Sequence, residues 1–322
     1  MSDESTDNTF SKVMDVVNLH PNVTLIERVG GEGISSAIRY ALPYCHGDFI
    51  AIMDADLQHS PEVLTGMFKI IQGGETDLIV GTIERNSLSA LGIIRKFISS
   101  GATWLAHLML PETREITDPM SGFFMFREGV VGKEHIGSNT FKVLLEVLVN
   151  AQPKRISEYP FTFGKRNGGF SKFGFKEMRH YIDLLLILSD YRVFKFITVG
   201  LTGVLVNEIA LYVLHGLTGI LALSSVLSVE ASILTNFALN NTWTFSKMKS
   251  TSLIKRLFSY NAVALGGLIV NTVVLLTLAF YGIPYLIANL LGITLGFTVN
   301  YFASESFVWK GTQIKGVMGT KE

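Results

Sequence analysis

Four long apolar segments fill the C-terminal part of this chain, and they constrain its fold more than any other feature. They run over residues 193–216, 221–239, 257–281 and 285–309. Each approaches the ~20 residues that an α-helix needs to cross ~30 Å of hydrocarbon. The 322-residue chain is accordingly apolar, with a mean hydropathy of +0.37. The sequence therefore predicts an integral membrane protein with four transmembrane helices.

The distribution of basic residues predicts the orientation of these helices. Lys247, Lys249, Lys255 and Arg256 lie between the second and third segments, whereas the other two connections carry no charge. The positive-inside rule therefore places this middle loop and both termini in the cytoplasm. No basic-then-apolar signal segment opens the chain, so we expect the region before residue 193 to be cytoplasmic too. The balance of 27 basic and 27 acidic residues indicates no nucleic-acid partner.

The four segments contain an internal repeat. Asn207 and Asn271 end the similar stretches VGLTGVLVN and VALGGLIVN, and Asn236 and Asn300 form a second pair at the same offset (271 − 207 and 300 − 236 are both 64). Two helix pairs are therefore expected to repeat in parallel. The Asn side chains either line a pathway at the repeat interface or hold neighbouring helices together alongside small residues.

Two carboxylates, Glu208 and Glu230, also fall within the predicted spans. Ionisable side chains are costly in a membrane and are candidates for function by default. A functional and a purely structural interpretation of these two residues are equally open from the sequence.

The region before residue 193 alternates strand and helix patterns. Strand-like runs are NVTLIER, DFIAIMD, DLIVGT, SGFFMFR and RISEYPFTF, and helices are predicted over 10–19, 34–42, 61–71 and 95–110. This alternation predicts an α/β doubly wound sheet. The apolar DFIAIMD strand is expected to be buried on both faces, as in a parallel sheet. Ligands of such folds bind at the carboxyl ends of strands.

Asp54 and Asp56 lie at such a strand end, with Gln58 two residues further on. Oxygen ligands of this kind suit a hard divalent cation, Mg²⁺ or Mn²⁺, which proteins commonly hold with one or two carboxylates plus substrate phosphates. Such a metal would neutralise the diphosphate of a nucleotide leaving group. A D-x-D pair also occurs in ordinary surface turns, but its position directly after an apolar strand favours the metal site. The single cysteine, Cys45, excludes a multi-cysteine metal site.

Four motifs occur in order in this half: GDFIAIMDADLQHSPE, DPMSGFFMFR, TFKVLLEVLV and FGKRNGGFSK. In order and spacing they resemble the polyprenyl-phosphate hexosyltransferases of inverting glycosyltransferase family two, in particular the dolichol-phosphate mannose synthases. The resemblance implies a GT-A (Rossmann-like) domain. It also implies transfer of a hexose, with mannose the first candidate, from GDP-mannose or UDP-glucose to a polyprenyl or dolichyl phosphate. The transfer would be inverting, metal-dependent and located at the membrane.

The same resemblance implies roles for individual residues. Asp54, Asp56 and Gln58 would hold the metal and the donor diphosphate. Arg95 and Ser99 would meet the acceptor phosphate. The remaining substrate contacts would come from Asp3, Gly33, Asp118, Ser121, Lys142, Glu146 and Ser171. The catalytic residues would be Asp56, Arg166 and Lys172, with Arg166, Ser171 and Lys172 in an R-x-x-G-x-S-K loop that closes over the reaction.

Other interpretations of these residues remain open. Because a phosphate acceptor is already anionic, the chemistry needs cationic groups rather than a strong general base. Arg95 and Arg166 fit that need, but they could also be ordinary surface charges. Asp118 could simply cap a turn. Lys142 and Glu146, four residues apart, could form an ordinary helical pair.

The membrane half resembles a second family. FKFITVGLTGVLVNEIALYVL, TNFALNNTWTF and VNYFASESFVWK are similar to the GtrA-like four-helix membrane proteins, which are associated with polyprenyl-linked sugars. Together the two resemblances divide the chain into a GT-A domain (1–172), an interfacial amphipathic linker helix (173–192), a GtrA-like domain (193–310) and a cytoplasmic tail (311–322). A plain soluble helix is the alternative for the linker.

The first residues weaken the enzymatic interpretation. MSDESTDNT aligns with the second nucleotide-binding motif of the transferases and places Asp3 at its second acidic position, so the family's first strand is expected to be missing. The alternative is therefore a non-catalytic carrier or flippase of lipid-linked sugars, or a scaffold with a degraded transferase domain. The D-x-D and R-x-x-G-x-S-K motifs oppose it. A processive polysaccharide synthase is a weaker alternative, because no QxxRW-type segment precedes the spans.

Overall fold

The structure is a computed structural model of the full chain. It describes residues 2–3, 9–28, 33–56, 58–84, 93–137, 141–162, 164, 174–248, 251–309 and 315–316, with the backbone alone for 2–3, 93–97, 175–176 and 315–316. The chain divides into two compact units: Met1–Leu188 with Ile314–Glu322, and Ser189–Gln313. This division falls inside the segment 173–192 that the sequence predicts to be a linker.

The first unit contains a mixed β-sheet. Its described strands are β1 (Ser2–Asp3), β2 (Glu27–Arg28), β3 (Phe49–Ile52), β4 (Leu78–Ile83), β5 (Phe124–Arg127), β6 (Arg155–Phe161) and β7 (Lys315–Gly316). Five of them form one sheet in the order β3-β5-β4-β6-β7, while β1 and β2 pair separately in parallel. β5 runs antiparallel to β3 and to β4, whereas β4, β6 and β7 are mutually parallel.

Strand β3 corrects one prediction. We expected DFIAIMD to be buried on both faces of a parallel sheet. Instead β3 pairs antiparallel with β5, its only described neighbour in the sheet, and it is half-buried with Ala51 exposed. The buried central position belongs to β4, where Leu78, Ile79 and Val80 are all 0% exposed. Apolar composition alone does not tell a strand with one neighbour from a strand with two.

Helices cover both faces of this sheet. The described helices of the unit are α1 (Thr9–Leu19), α2 (Ile34–Ala41), α3 (Pro61–Gln72), α4 (Ile93–Met109), α5 (Val143–Glu146) and α6 (Phe175–Leu188). α3 packs over Ile79 on one face, and α5 packs over Leu78 and Val80 on the other. Successive residues of β4 thus face opposite layers, as strand geometry requires. This is the α/β layering that the alternating pattern predicts.

Helix α6 packs against α4. Leu184 and Leu185 of α6 share a buried cluster with Ala106 of α4, and the hydroxyl of Tyr181 donates to the carbonyl of Ala102 at 2.6 Å. The helix inside the predicted linker therefore belongs, by its contacts, to the first unit. A position along the bilayer surface stays a prediction.

The second unit consists of helices that can span a membrane. They are α7 (Arg192–Thr218), α8 (Leu221–Leu239), α9 (Leu253–Phe280) and α10 (Tyr285–Ala303), and all four are long and apolar enough to cross a bilayer. α8 and α10 each continue into a π-helical turn, Asn240–Thr244 and Ser304–Val308 respectively. These two turns are separated by the repeat offset of 64, so the repeat extends to local backbone geometry.

Asparagine–glycine contacts join the helices within each pair. A Cβ at Gly203 of α7 would lie 2.3 Å from the Asn236 amide of α8, and a Cβ at Gly267 of α9 would lie 2.1 Å from the Asn300 amide of α10. These contacts are equivalent under the repeat. Only glycine allows such close approach of an amide to the neighbouring backbone. The structure therefore favours the interpretation in which these asparagines hold helices together.

The repeats meet in a buried aromatic cluster. The rings of Phe245 and Trp309, which are equivalent under the repeat, stack with centroids 4.6 Å apart and an interplanar angle of 10°. Phe196 of α7 and Tyr260 of α9, also equivalent, join the same cluster. A residue from one repeat thus packs on its own counterpart from the other.

The two membrane carboxylates lie on exposed helix faces. Glu208 of α7 and Glu230 of α8 are both exposed. Glu208 also lines an open groove of about 630 Å³ together with Tyr212 and His215. Their functional assignment stays a prediction.

The close packing of α9 and α10 predicts that Gly296→Ala destabilises the second unit. A Cβ at Gly296 would lie 2.6 Å from the carbonyl oxygen of Gly267, so the backbones must separate. We expect a loss of about 1–3 kcal/mol, as for other overpacked sites. Gly266→Ala is the matched control, because nothing lies within 4 Å of its Cβ position. Thermal unfolding of the detergent-purified chain measures both, and equal midpoints would contradict the packing described here.

Candidate active site

The pairing of β3 with β5 brings two sequence motifs to one edge of the sheet. Ile52, the last residue of β3, pairs with Phe124, the first residue of β5. Because the strands are antiparallel, the residues that follow β3 lie beside those that precede β5. A Cβ at Gly122 would accordingly be 3.4 Å from Oδ2 of Asp54. The D-x-D turn and the DPMSGF segment therefore meet.

The D-x-D turn also contacts the start of the R-x-x-G-x-S-K segment. Oδ1 of Asp56 accepts a hydrogen bond from the backbone N–H of Gln58 at 3.1 Å. Nε2 of Gln58 donates to the carbonyl of Gly164 at 3.4 Å, and the N–H of Gly164 donates to the Gln58 carbonyl at 2.9 Å. Gly164 directly precedes the basic segment. The predicted residues of that segment, Arg166, Ser171 and Lys172, lie outside the described residues.

Lys142 supplies positive charge beside the carboxylates. Its Nζ donates to the carbonyl of Met120 at 3.3 Å, which places the ammonium group at the DPMSGF segment. Burial lowers the pKa of Lys142, while the nearby carboxylates of Asp118 and Asp54 oppose that change. Burial likewise raises the pKa of Asp118, opposed by a hydrogen bond from the Met120 N–H and by the charge of Lys142. Three of the predicted site residues thus form one electrostatic group.

Ser121 and Glu146 have structural contacts in addition to their predicted roles. The hydroxyl of Ser121 donates to the carbonyl of Gly81 in β4 at 2.7 Å, and so ties the DPMSGF segment to the central strand. Glu146 is buried, and its Oε2 accepts a hydrogen bond from the N–H of Gly137 at 3.1 Å. Helix α5 begins at Val143, after Lys142, so the lysine is not part of an ordinary helical pair with Glu146.

The other predicted substrate residues lie on separate elements. Gly33 precedes α2 with φ of 80°, a left-handed value that favours glycine, and its carbonyl accepts a hydrogen bond from Ser36 at 3.4 Å. Asp3 lies in β1, where its backbone pairs with Arg28 of β2. Arg95 and Ser99 lie one turn apart on α4, and Ser99 is exposed. Their roles toward substrate stay predictions.

Sequence patterns assign no role to His59, which lies next to the D-x-D turn. Its ring is buried and stacks on Phe123 with centroids 5.0 Å apart, while Phe161 packs edge-on at 5.6 Å. Burial lowers the pKa of His59, against the opposing charges of Asp54 and Asp56. The imidazole is therefore neutral at pH 7 and serves as an aromatic support for the turn. In the sequence, only the position of His59 between the D-x-D pair and Pro61 indicates this role.

The donor set of the turn fits a hard divalent cation bound jointly with a substrate. Asp54 and Asp56 offer carboxylate oxygens, and the hydrogen bond from Nε2 of Gln58 to Gly164 leaves the Gln58 amide oxygen as its candidate ligand atom. Among the described residues no three His, Cys, Asp or Glu side chains form a metal-binding group. Two carboxylates with ligands completed by phosphate are typical of Mg²⁺ sites.

Comparison with known proteins identifies both halves. Residues 1–133 match Glycosyl transferase family 2, and residues 195–309 match the GtrA/DPMS transmembrane domain. The dolichol-phosphate mannosyltransferase of Pyrococcus furiosus is 37% identical over 316 residues, which cover 96% of this chain and 89% of the relative. This chain belongs to the dolichol-phosphate mannosyltransferase family. Both family resemblances predicted from the sequence are thereby confirmed. The chain is a glycosyltransferase with a GT-A domain followed by a four-helix transmembrane domain.

Relatives from other organisms cover less of the chain. The dolichol-phosphate mannosyltransferase of Saccharomyces cerevisiae is 31% identical and spans 61% of this chain and 74% of the relative. Among solved structures, glucosyl-3-phosphoglycerate synthase from Mycobacterium tuberculosis with Mn²⁺, UDP-glucose and phosphoglyceric acid is 16% identical. The structural match covers 58% of this chain and 66% of the synthase chain, with a TM-score of 0.40.

The position of Lys142 predicts that Lys142→Met reduces sugar transfer. The variant removes the ammonium group that faces Asp118 and Asp54, and a hydrogen bond to a charged group is worth about 1.5–3 kcal/mol, so we expect kcat/KM to fall about 10- to 100-fold. Lys142→Arg should recover part of the loss. The exposed Lys133 provides the matched control, Lys133→Met. Full activity in Lys142→Met would show that its charge has no part in the reaction.

Proposed function

We propose that this chain transfers mannose from a nucleotide sugar, GDP-mannose in the first instance, to dolichyl phosphate or a related polyprenyl phosphate. The names of its relatives support mannose as the sugar and dolichyl phosphate as the acceptor, and one of these relatives is matched across both units. GDP-mannose as the donor is inferred from the resemblance of the catalytic motifs. The structural observation that carries the proposal is the meeting of Asp54 with the DPMSGF segment beside Lys142. This arrangement suits a sugar attached to a diphosphate.

The proposed reaction is a single displacement with inversion at the sugar. An oxygen of the acceptor phosphate forms a bond to C1 of the hexose while the bond from C1 to the donor diphosphate breaks. The electron pair of that bond leaves with the nucleoside diphosphate. Because the acceptor oxygen is already anionic near pH 7, the site needs no strong general base.

The D-x-D turn would bind the donor diphosphate. Asp54, Asp56 and Gln58 are the residues that would hold Mg²⁺ or Mn²⁺. Such an ion, when bound, supplies positive charge against the diphosphate. Gly164 is hydrogen-bonded to Gln58, so closure of the following basic segment would bring Arg166, Ser171 and Lys172 toward the same place.

Lys142 and Asp118 would orient the sugar beside this diphosphate. Lys142 keeps its ammonium group at the DPMSGF segment through the Met120 carbonyl. Asp118 can accept hydrogen bonds from sugar hydroxyls, and burial strengthens such contacts. We assign the further donor contacts to Asp3, Gly33, Ser121 and Glu146.

The acceptor would approach from the membrane. Arg95 and Ser99, one turn apart on α4, are proposed to bind its phosphate, since an arginine fork suits phosphate oxygens. The positive-inside pattern supports a cytoplasmic position of the catalytic domain and of both termini. The four helices of the second unit would keep the enzyme at the bilayer that holds the acceptor.

Sugar transfer by membranes that contain the full chain tests this function. The assay supplies GDP-mannose or UDP-glucose with dolichyl phosphate and Mg²⁺ or Mn²⁺, and it measures mannosyl or glucosyl lipid. We expect metal-dependent mannolipid that EDTA abolishes. Asp56→Asn should reduce transfer at least 100-fold, roughly the effect of losing one strong contact to a charged group. The asparagine side chain has the same size and can keep the shape of the turn, but it lacks the negative charge.

A second carboxylate provides the control for this variant. Asp48 is exposed at the start of β3, at the opposite end of the strand from Asp56, and Asp48→Asn should retain full transfer. Equal activity of Asp56→Asn and Asp48→Asn would reject the metal assignment. Absence of any glycolipid product with both donors would reject the proposed transfer itself.

A further inference from the structure

Two buried arginines occupy equivalent positions of the membrane repeat. Arg192 starts α7 and is 7% exposed, and Arg256 lies in the first turn of α9 and is 6% exposed. They are separated by the repeat offset of 64. A guanidinium group stays protonated in proteins, so each site must accommodate a buried positive charge. Such a charge is strongly unfavourable unless an anion accompanies it.

The charge of Arg192 is balanced inside the protein. Its Nη2 lies 3.5 Å from Oε1 of Glu305, which is 0% exposed and follows α10 in the other repeat. Its Nη1 also contacts the sulfur of Met248 at 2.9 Å. The ion pair therefore crosses from the first repeat to the second.

The charge of Arg256 has no such partner among the described residues. The repeat equivalent of Glu305 is Asn241, a neutral amide that accepts a hydrogen bond from Nε1 of Trp309 at 3.3 Å. The one described hydrogen bond of the Arg256 guanidinium runs from Nη1 to the carbonyl of Thr251, and its buried Nε has no partner in the described part of the chain. The repeat thus keeps the arginine and replaces the carboxylate.

The surroundings of Arg256 suit an anion from outside the chain. Thr251, which its guanidinium contacts, immediately precedes Ser252, the N-cap residue of the 28-residue helix α9. The Ser252 side chain makes no capping hydrogen bond, and the guanidinium contacts the residue just before this N-cap, so both groups are at the start of α9. Helix N-termini attract anions through the N–H groups of the first turn and the helix dipole.

We propose that Arg256 and the N-terminus of α9 form a binding site for a phosphate group, which supplies the negative charge that Glu305 supplies to Arg192. Phosphate oxygens match the fork of a guanidinium group. α9 is a candidate membrane span that begins at this point, where lipid headgroups lie. The site uses none of the residues proposed for sugar transfer. A phospholipid headgroup and free phosphate share the required chemistry.

Thermal unfolding of the delipidated full chain in neutral detergent tests the proposal. The midpoint is followed during titration with phosphatidylglycerol, with inorganic phosphate, or with diacylglycerol as the phosphate-free control. Neither phosphate compound is a substrate of the proposed transfer, so the result does not depend on that function. We expect phosphatidylglycerol to raise the midpoint of the wild-type chain and diacylglycerol to leave it unchanged. A rise with inorganic phosphate alone would identify a site for soluble phosphate instead of lipid.

Three variants make the test specific. Arg256→Met should weaken phosphate binding about 10- to 100-fold, the equivalent of one hydrogen-bonded charge. Lys255→Gln removes a neighbouring exposed cation and should keep most of the stabilisation. Asn241→Glu places a carboxylate at the equivalent of Glu305, so it should raise the midpoint without added phosphate and abolish the response to it.

Each result decides the proposal. A phosphate response that Arg256→Met and Asn241→Glu both lose, and Lys255→Gln keeps, supports it. Equal stabilisation of the wild-type chain and Arg256→Met would overturn it, as would the absence of any response in the wild-type chain. If Arg256→Met cannot be recovered folded, an unaltered response in Asn241→Glu would overturn it on its own.

Discussion

The antiparallel pairing of Ile52 with Phe124 is the contact on which the catalytic half depends. It reverses the chain direction between β3 and β5, and so places a motif that follows one strand beside a motif that precedes the other. In an all-parallel sheet the two segments would lie at opposite edges. The hydroxyl of Ser121 then ties this corner to Gly81 of the buried central strand β4. The acidic turn is therefore held by the most deeply buried part of the sheet.

Charge balance explains how carboxylates can gather at this corner. Asp54 and Asp118 both act on Lys142, whose ammonium group offsets their mutual repulsion. Next to the turn, the rings of His59, Phe123 and Phe161 pack together and are buried. The anionic nucleotide-sugar donor that we propose for this site would need additional positive charge. The cation and the basic segment that we propose for this site meet that need.

The membrane half repeats one helix-pair structure, and one charge difference between the repeats lies at the buried arginines. At equivalent positions of both helix pairs, an asparagine amide packs against a glycine of the neighbouring helix. The counterparts Phe245 and Trp309 stack with ring centroids 4.6 Å apart. The repeats differ where Glu305 balances Arg192, since the repeat equivalent of Glu305 is the neutral Asn241. A symmetric scaffold thereby acquires one site with its own counter-charge and one that depends on an external anion.

The sequence by itself determined the four spans, the repeat, the family and the order of the catalytic motifs, because hydropathy, offset and motif spacing are properties of the chain. It also predicted α1, α2, α3 and α4 to within two residues at each end. Only the tertiary structure decided that β3 is half-buried and antiparallel, that Lys142 lies near two carboxylates, and that His59 supports the turn. It likewise distinguished two arginines that are identical in the repeat. Strand direction, burial and charge pairing depend on residues far apart in sequence, so local patterns do not encode them.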